Sequence, residues 1–399
     1  MSPAEDSSTQ YRRRGLLAAA GSAALAATAG CAALPGSGRR YESDAVLTGP
    51  QAPWPSKMSG AGRRSAAAGP LPGDATTLVE GLTGAGDRRP VVGPEAVFLA
   101  AEQVTLPGSE RAGRIVALGG AANVRWQYPV PNANAFPAVA GDTVLVQGDA
   151  LFALDRRDGR LRWRVDAGYA WWRTAPVVAG GTLLVTAADP ETVWGLDPAT
   201  GRRRWVADLR LHPRALAAGD PGAYAVTSDS DESALVRLDP ASGEVAWRRP
   251  TAAEPGTPVL GTDRVFLREG DRLTARRGAD GSVAWSRSLA PRAVALGRER
   301  CLVVAGDGRL RALRRSDGTT DWTGPAVARV ESGPVAVAGD RVYVPVTDGP
   351  ALAALDAASG DRVRTVPLPG RPTTGVAVGD GLGALVTRDG TGGRVVLLA

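Results

Sequence analysis

Short apolar runs separated by turn residues make up the chain from residue 90 onward. One stretch reads PAVA (137–140), TVLVQG (143–148), LFALD (151–155) and RLRWRV (160–165), with AGD and DRRDG in the turns. Runs of this length bounded by Gly and Asp predict four short strands joined by tight turns. Because their apolar residues are not confined to alternate positions, both faces of the predicted sheet are expected to be buried.

The same pattern recurs along the chain. Its most regular copies, LFALDRRDGRLRW, VWGLDPATGRRRW and LVRLDPASGEVAW, end at Trp163, Trp205 and Trp247. Related copies end at Trp126, Trp285, Trp322 and Arg364, and successive copies are 37 to 42 residues apart. A period near forty residues made of short strands predicts a β-propeller in which each copy is one blade.

The lettering of the repeat follows from turn chemistry and packing. Six copies carry a glycine four residues before the Trp position, where a tight hairpin needs positive φ. Aspartates that begin turns are expected to accept backbone N–H bonds, and they stand at Asp155, Asp197, Asp239 and Asp356. Each outer-strand indole is expected to lie over the neighbouring blade and to donate its N–H to a backbone carbonyl. The structural tryptophans are Trp126, Trp163, Trp205, Trp247, Trp285 and Trp322.

The two ends of the repeat predict an eighth, split blade. Residues after Arg364 supply three strands, and TTLVEGL (76–82) is the candidate for the fourth. It stands just before the opening strand PVVG (90–93) of the first copy. Closure by an N-terminal strand leaves no open sheet edge. We therefore expect an all-β chain with eight four-stranded antiparallel blades, and seven blades are the alternative.

The pattern A-x-D-x-x-T-G-x-x-x-W resembles the tryptophan-docking motif of the PQQ-like (pyrroloquinoline quinone repeat) β-propellers. The resemblance covers residues 90–399. It weakens where Arg277 and Arg314 replace the turn aspartate and Arg364 replaces the tryptophan. The family includes quinoprotein dehydrogenases and a branch of non-enzymatic, BamB-like lipoproteins, and it implies eight blades.

The first thirty residues are predicted to be an export signal rather than part of the fold. Arg13 and Arg14 are followed by Gly, two leucines and an Ala/Gly-rich apolar stretch. This order matches a twin-arginine (Tat) signal, a route that carries folded proteins.

The segment TAGC (28–31) resembles a lipobox, in which the Cys31 sulfur takes a diacylglyceryl group. Ordinary cleavage near Ala29 and an uncleaved anchor are the alternatives. A lipid on Cys31 would attach the protein to the membrane. The predicted organisation is a signal peptide over 1–30, a tether and lead-in over 31–73, and the propeller over 74–399.

Composition removes several kinds of site. Two cysteines, Cys31 and Cys301, and the single histidine, His212, exclude a disulfide framework, a four-thiolate zinc site and most Ser/His/Asp triads. The chain also lacks the adjacent cysteines of many quinoprotein dehydrogenases and a C-x-x-C-H haem site. Cys301 is expected to be a buried core residue and His212 a solvated loop residue. The net charge of +6 comes from arginines spread among acidic residues, so no nucleic-acid groove is predicted.

Two loops carry candidate binding residues. DAGYAWWRT (166–174) lies in a connection between blades and places Tyr169, Trp171, Trp172 and Arg173 at the channel mouth. Exposed aromatic and arginine side chains are common interface anchors, although these rings could equally plug the mouth. SDSDES (228–233) could hold Ca²⁺ but lacks the Gly and distant Glu of an EF-hand, so a solvated acidic loop is preferred.

The sequence thus predicts an exported, membrane-anchored propeller without catalytic, cofactor or metal residues. Its expected role is that of a monomeric scaffold that binds an unidentified extracytoplasmic protein. One alternative is a PQQ- or sugar-linked dehydrogenase that uses PQQ and Ca²⁺. The other is an extracytoplasmic ligand-sensing propeller.

Overall fold

The blades are built from β-strands alone in the part of the chain that the structure, a computed structural model, describes. The described residues are 66–67, 76–79, 90–93, 95–103, 112–120, 123–130, 137–166, 174–186, 191–219, 222–252, 255–330, 333–379, 382–389 and 392–398. Eight sheets, each with four antiparallel strands at its centre, form an eight-bladed β-propeller.

The N-terminal strands are β1 (Ala66–Ala67) and β2 (Thr76–Val79). Blade 1 contains β3 (Val91–Gly93), β4 (Ala96–Gln103), β5 (Ala112–Leu118) and β6 (Val124–Pro129). Blade 2 contains β7 (Ala138–Ala140), β8 (Thr143–Gln147), β9 (Leu151–Asp155) and β10 (Leu161–Val165). Blade 3 contains β11 (Val177–Ala179), β12 (Thr182–Thr186), β13 (Thr192–Leu196) and β14 (Arg203–Asp208). Blade 4 contains β15 (Pro213–Gly219), β16 (Gly222–Ser228), β17 (Ser233–Leu238) and β18 (Val245–Pro250).

Blade 5 contains β19 (Val259–Leu260), β20 (Arg264–Glu269), β21 (Arg272–Arg277) and β22 (Val283–Ser288). Blade 6 contains β23 (Ala293–Leu296), β24 (Arg300–Val304), β25 (Arg309–Arg314) and β26 (Thr320–Ala326). Blade 7 contains β27 (Ala336–Ala338), β28 (Arg341–Pro345), β29 (Ala351–Asp356) and β30 (Arg362–Pro367). Blade 8 contains β31 (Arg371–Pro372), β32 (Ala377–Gly379), β33 (Leu382–Asp389) and β34 (Gly392–Leu398).

In blades 1 to 7 the strands pair in chain order, and we call them a, b, c and d from first to last. This order places the a–b and c–d turns at one edge of each blade. The b–c turns and the d–a connections to the next blade lie at the other edge. The propeller therefore has a turn face, formed by the a–b and c–d turns, and a connection face, formed by the b–c turns and d–a connections.

Blade 8 is closed by the N-terminal strand. Strand β2 pairs antiparallel with β34, from Thr76 opposite Leu398 to Val79 opposite Val395. The eight-blade prediction is confirmed, and the seven-blade alternative is wrong. The lead-in also contributes β1, which pairs in parallel with β27 of blade 7, and the sequence pattern did not predict this strand.

The core lies between the blades. One buried cluster joins Phe98 and Ile115 of blade 1 to Val139, Val144 and Phe152 of blade 2. All five residues of β8 are buried, as are all five of β12, so successive side chains on both faces are covered. This confirms why the strands lack an alternating polar pattern: each blade is packed between two neighbours.

Candidate functional site

Six tryptophans tie each of blades 1 to 6 to the blade that follows it, as the motif predicts. Their indole Nε1 atoms donate hydrogen bonds to backbone carbonyls in the c–d turn of the following blade. The pairs are Trp126 with Arg156 (3.0 Å), Trp163 with Pro198 (2.9 Å), Trp205 with Pro240 (3.1 Å), Trp247 with Gly278 (3.3 Å), Trp285 with Arg315 (3.0 Å) and Trp322 with Ala357 (3.2 Å). The tryptophan that recurs at the end of the repeat therefore serves the architecture.

Each indole also covers the glycine of the turn that it contacts. Gly201 has φ of +72°, and a Cβ placed on it would come 2.8 Å from the ring of Trp163. Gly318 has φ of +74°, and its Cβ would come 2.7 Å from the ring of Trp285. The glycine is thus needed twice, for the left-handed backbone and for the space that the neighbouring indole occupies.

The c–d turns are capped in two ways. In blade 3 the Oδ1 of Asp197 accepts the backbone N–H groups of Ala199 (2.9 Å) and Thr200 (3.1 Å). In blade 6, where Arg314 takes this first turn position, Asp317 instead accepts the backbone N–H of Thr319 at 2.8 Å. Blade 5 uses the second kind of cap as well, at Asp280. The two turns that depart from the family pattern thus recover a carboxylate cap three residues later.

A β-bulge precedes each docking tryptophan, and in blades 2, 3 and 6 the bulged residue forms an ion pair at the c–d turn. In blade 3 the register shifts next to Trp205, and the bulged Arg204 pairs with Asp197 at 2.7 Å. Burial raises the pKa of Asp197, but the hydrogen bond and charge of Arg204 outweigh this and hold that pKa below its ordinary value. A bulge inserts one residue and changes where its side chain points.

Blade 6 reverses this ion pair. Its bulged residue is Asp321, which pairs with Arg314 at 2.6 Å and with Arg300 at 3.1 Å. The acid has moved to the bulge and the base to the turn, so the pair is retained with opposite polarity. Arg314, which replaces the turn aspartate of the repeat, is therefore the basic partner in this reversed ion pair.

The split blade accounts for the remaining departures from the repeat. Arg364 of blade 7 lies opposite Ala354, in the register of a docking tryptophan. Its neighbour, blade 8, has no c–d turn to receive an indole, because β34 and β2 come from opposite ends of the propeller. Strand β2 (TTLV), the outer strand of blade 8, carries no tryptophan to dock on blade 1. The c–d turn of blade 1, GGAAN (119–123), is one residue shorter than those of the other copies.

Cys301, His212 and the acidic loop at 228–233, which the sequence analysis weighed as possible sites, have contacts within the protein. Cys301 is fully buried in strand b of blade 6, and burial raises the pKa of its thiol. His212 is half-buried just before β15, and its backbone oxygen accepts the N–H of Ser228 at 2.9 Å. In the acidic hairpin the Oδ1 of Asp229 accepts the N–H groups of Asp231 and Glu232, both at 2.8 Å.

The described ranges contain no group of three His, Cys, Asp or Glu side chains arranged to hold a metal ion. Within the same residues, no helix is long and apolar enough to cross a membrane. Arg13, Arg14 and Cys31 lie outside the described residues. So do the candidate interface residues Tyr169, Trp171, Trp172 and Arg173.

The connection face carries a cavity that the sequence did not reveal. It measures about 570 Å³ and lies among blades 5, 6 and 7. Three d–a connections contribute to it, through Gly256 and Thr257, Pro291 and Arg292, and residues 327–330 with 333–334. Strand b supplies Arg268 in blade 5 and Val304 in blade 6. These segments are distant in sequence and share no motif, so no local signal could have identified them.

Comparison with known proteins identifies the family. A family model described as "Outer membrane protein assembly factor BamB" matches residues 111–255 and again residues 230–398. The chain belongs to this family of PQQ-like β-propellers. Among curated protein sequences, none matches the chain.

The PQQ-like propeller has similar folds among solved structures of both branches. BamB from Moraxella catarrhalis has 17% identity and a TM-score of 0.57, over 82% of this chain and 98% of that one. Quinohemoprotein alcohol dehydrogenase from Comamonas testosteroni has 14% identity and a TM-score of 0.59, over 86% and 80%. Quinohemoprotein alcohol dehydrogenase ADHIIG from Pseudomonas putida HK5 has 13% identity and a TM-score of 0.61, over 87% and 80%. At these identities the similarity concerns the fold alone.

Proposed function

We propose that this protein is an exported, lipid-anchored propeller that acts as a non-catalytic scaffold and binds a protein in an extracytoplasmic complex. The observation that carries the proposal is the match of residues 111–398 to a family described as an assembly factor. The repeated residues support it, because the tryptophans, turn glycines and turn aspartates all serve contacts within and between blades.

The anchor rests on the N-terminal sequence. Arg13 and Arg14 fit a twin-arginine signal, and Cys31 stands at the place of a lipidated cysteine. A diacylglyceryl group on Cys31 with a further acyl chain would hold the protein stably at the extracytoplasmic side of the membrane. The protein is proposed to be monomeric, since closure of blade 8 pairs the outer edge of β34.

The proposed binding surface is formed by residues 169–173, which follow β10 of blade 2 and precede β11 of blade 3 in the sequence. Trp171, Trp172, Tyr169 and Arg173 belong to the d–a connection between blades 2 and 3. Large aromatic and arginine side chains supply much of the binding energy at protein interfaces.

The test is crosslinking and affinity capture of the tagged protein from its own membranes, followed by mass spectrometry. Trp171→Ala/Trp172→Ala should lose a recurrent partner that the parent protein retains. Val206→Ala/Val245→Ala is the control, because both valines are exposed on the outer d strands. Cys31→Ser should release the protein from the membrane fraction. A partner retained by the tryptophan variant would remove this surface from the proposal, and a membrane-bound Cys31→Ser protein would remove the lipid anchor.

A second candidate function is a PQQ- or sugar-linked dehydrogenase, which the fold similarity to two quinohemoprotein alcohol dehydrogenases favours. The purified protein should be mixed with PQQ and Ca²⁺ and assayed for quinone absorbance after gel filtration and for reduction of a dye by alcohols and sugars. Retained quinone with Ca²⁺-dependent dye reduction would establish the dehydrogenase and overturn the non-catalytic proposal. Absence of both removes this candidate.

A further inference from the structure

The cavity among blades 5, 6 and 7 combines an apolar wall with three arginines. Val259, Val304 and Val327 are buried residues of its lining. Its charged lining residues are Arg268, Arg292 and Arg329, and no carboxylate belongs to its described lining. A volume of about 570 Å³ is in the range of small-molecule sites, which are mostly apolar with a few convergent polar groups.

Two of these guanidinium groups have no partner among the described residues. Arg268 is half-buried, and its side chain runs along Gly256, where a Cβ would come 3.1 Å from that of Arg268. Neither Arg268 nor the exposed Arg329 makes a side-chain hydrogen bond or ion pair in the described part of the chain. Arg292 donates one bond, from Nη2 to the backbone oxygen of Gly306. Most of the guanidinium donors in the described lining are therefore available to a ligand.

A second arginine-rich cavity shows what paired arginines look like in this protein. It measures about 710 Å³, lies on the turn face of blades 5 to 7, and includes Asp321 and Arg314 in its lining. There Arg314 and Arg300 share Asp321, and Arg264 donates to the backbone oxygen of Ser316 at 2.9 Å. Those guanidinium groups stabilise turns, whereas Arg268 and Arg329 on the connection face stabilise no described group.

We propose that the cavity among blades 5, 6 and 7 binds a small organic anion, with a carboxylate or phosphate on an apolar body. Guanidinium groups match carboxylate and phosphate oxygens in planar, two-bond geometry. The valine wall would cover the apolar body, which an inorganic anion lacks. The inference concerns a ligand site and is independent of the scaffold proposal, whose surface is the connection between blades 2 and 3.

The probe is 8-anilinonaphthalene-1-sulfonate, an organic anion whose fluorescence rises when its rings leave water. We expect saturable binding to the full chain. Arg268→Gln/Arg329→Gln should raise the dissociation constant of the probe about tenfold or more. A hydrogen bond to a charged group contributes roughly 1.5–3 kcal/mol, which is more than tenfold in affinity. Ala328→Trp, which fills the cavity without removing charge, should abolish binding.

The matched control is Arg157→Gln/Arg202→Gln. It also removes two positive charges, but from exposed residues in the c–d turns of blades 2 and 3. This variant should bind the probe as the parent does. Thermal midpoints of all variants confirm that they fold, and the arginine substitutions should not lower them.

Competition separates the two parts of the ligand. Phenyl phosphate should displace the probe, while inorganic phosphate, which lacks the apolar body, and benzyl alcohol, which lacks the charge, should do so at least tenfold less well. The proposal is overturned if the Arg268/Arg329 variant binds like its control, or if inorganic phosphate competes as well as phenyl phosphate. The titrations use the purified protein alone, so their outcome does not depend on whether the capture experiment finds a partner protein. Either proposal can therefore fail without the other.

Discussion

The indole of Trp205 in blade 3 lies so close to the backbone of Gly243 in blade 4 that a Cβ on Gly243 would come 2.5 Å from the ring. The same indole donates its N–H to Pro240, three residues earlier in that turn, at 3.1 Å. One side chain therefore holds the turn of the next blade by a hydrogen bond and by direct contact with its glycine. The contact recurs between successive blades from blade 1 to blade 7 and sets how they pack.

Replacing Gly243 by Ala should destabilise the protein in two ways. Gly243 has φ of +79°, a conformation that costs an L-residue about 1–2 kcal/mol. The new methyl group must also displace the Trp205 indole, and overpacking of this kind costs about 1–3 kcal/mol. We expect a loss of about 2–5 kcal/mol in the free energy of unfolding, measured by urea denaturation.

The control for this substitution is Gly270→Ala. Gly270 has φ of +61° and nothing within 4 Å of the added Cβ. It should lose only the backbone contribution of about 1–2 kcal/mol. Equal losses at Gly243 and Gly270 would show that the indole contact adds no constraint.

Placing a tryptophan at Arg364 should not stabilise blade 7, although it restores the family motif. Blade 8 has no c–d turn to accept the indole N–H, because its outer strand is β2. We expect no gain in thermal midpoint for Arg364→Trp and a solvent-exposed emission spectrum for the new indole. A blue-shifted spectrum with a raised midpoint would contradict this account of the split blade.

Removing the charge of Asp197 should reduce stability at neutral pH more than at acid pH. The pKa of Asp197 in the folded protein is below its ordinary value. The stabilisation by Arg204 is therefore fully present above pH about 4 and is lost as the pH falls through the folded-state pKa. Asp197→Asn keeps an oxygen acceptor for the turn and should cost about 0.2–1 kcal/mol at pH 7.

Urea denaturation at pH 7, 5 and 3 tests this expectation. The difference between the parent and Asp197→Asn should shrink toward pH 3. Glu244→Gln is the control, since Glu244 is exposed in the c–d turn of blade 4 and forms no ion pair within the described residues. A difference that persists unchanged at pH 3 would show that the Arg204 pair contributes nothing.

Cys301 should be unreactive in the folded protein. It is fully buried, and burial raises the pKa of its thiol, so the reactive thiolate is suppressed. In a Cys31→Ser protein, 5,5′-dithiobis(2-nitrobenzoic acid) should modify no thiol before denaturation and one thiol after it. Rapid modification of the native protein would contradict the buried position.

Much of the fold could be predicted because the controlling signals are local and repeated. The spacing of Trp163, Trp205 and Trp247 and the Asp and Gly of their turns predict hairpins, and a period near forty residues predicts blades. Ring closure by TTLV (76–79) also follows from the strand count at the two ends. These inferences need only turn chemistry and the requirement that sheet edges be paired.

The candidate site was less accessible, because its residues are brought together only by packing. Arg268 lies in blade 5 and Arg329 in the connection between blades 6 and 7, and nothing in the sequence near either one indicates a cavity. The Asp321–Arg314 ion pair could not be predicted either. Its two residues meet only because the bulge in strand d of blade 6 places Asp321 beside Arg314.

The sequence by itself determined the blade repeat, its strands and the docking of each tryptophan on a neighbouring blade, since each depends on short-range chemistry repeated at a fixed spacing. The structure decided for eight blades rather than seven. Only the tertiary structure decided that Gly243 must also make room for Trp205 and that Arg364 faces a blade without a turn. The cavity belongs to the same class. These relationships depend on which side chains meet between two neighbouring blades. The repeat pattern predicts that two blades are neighbours, but it does not predict which of their side chains come into contact.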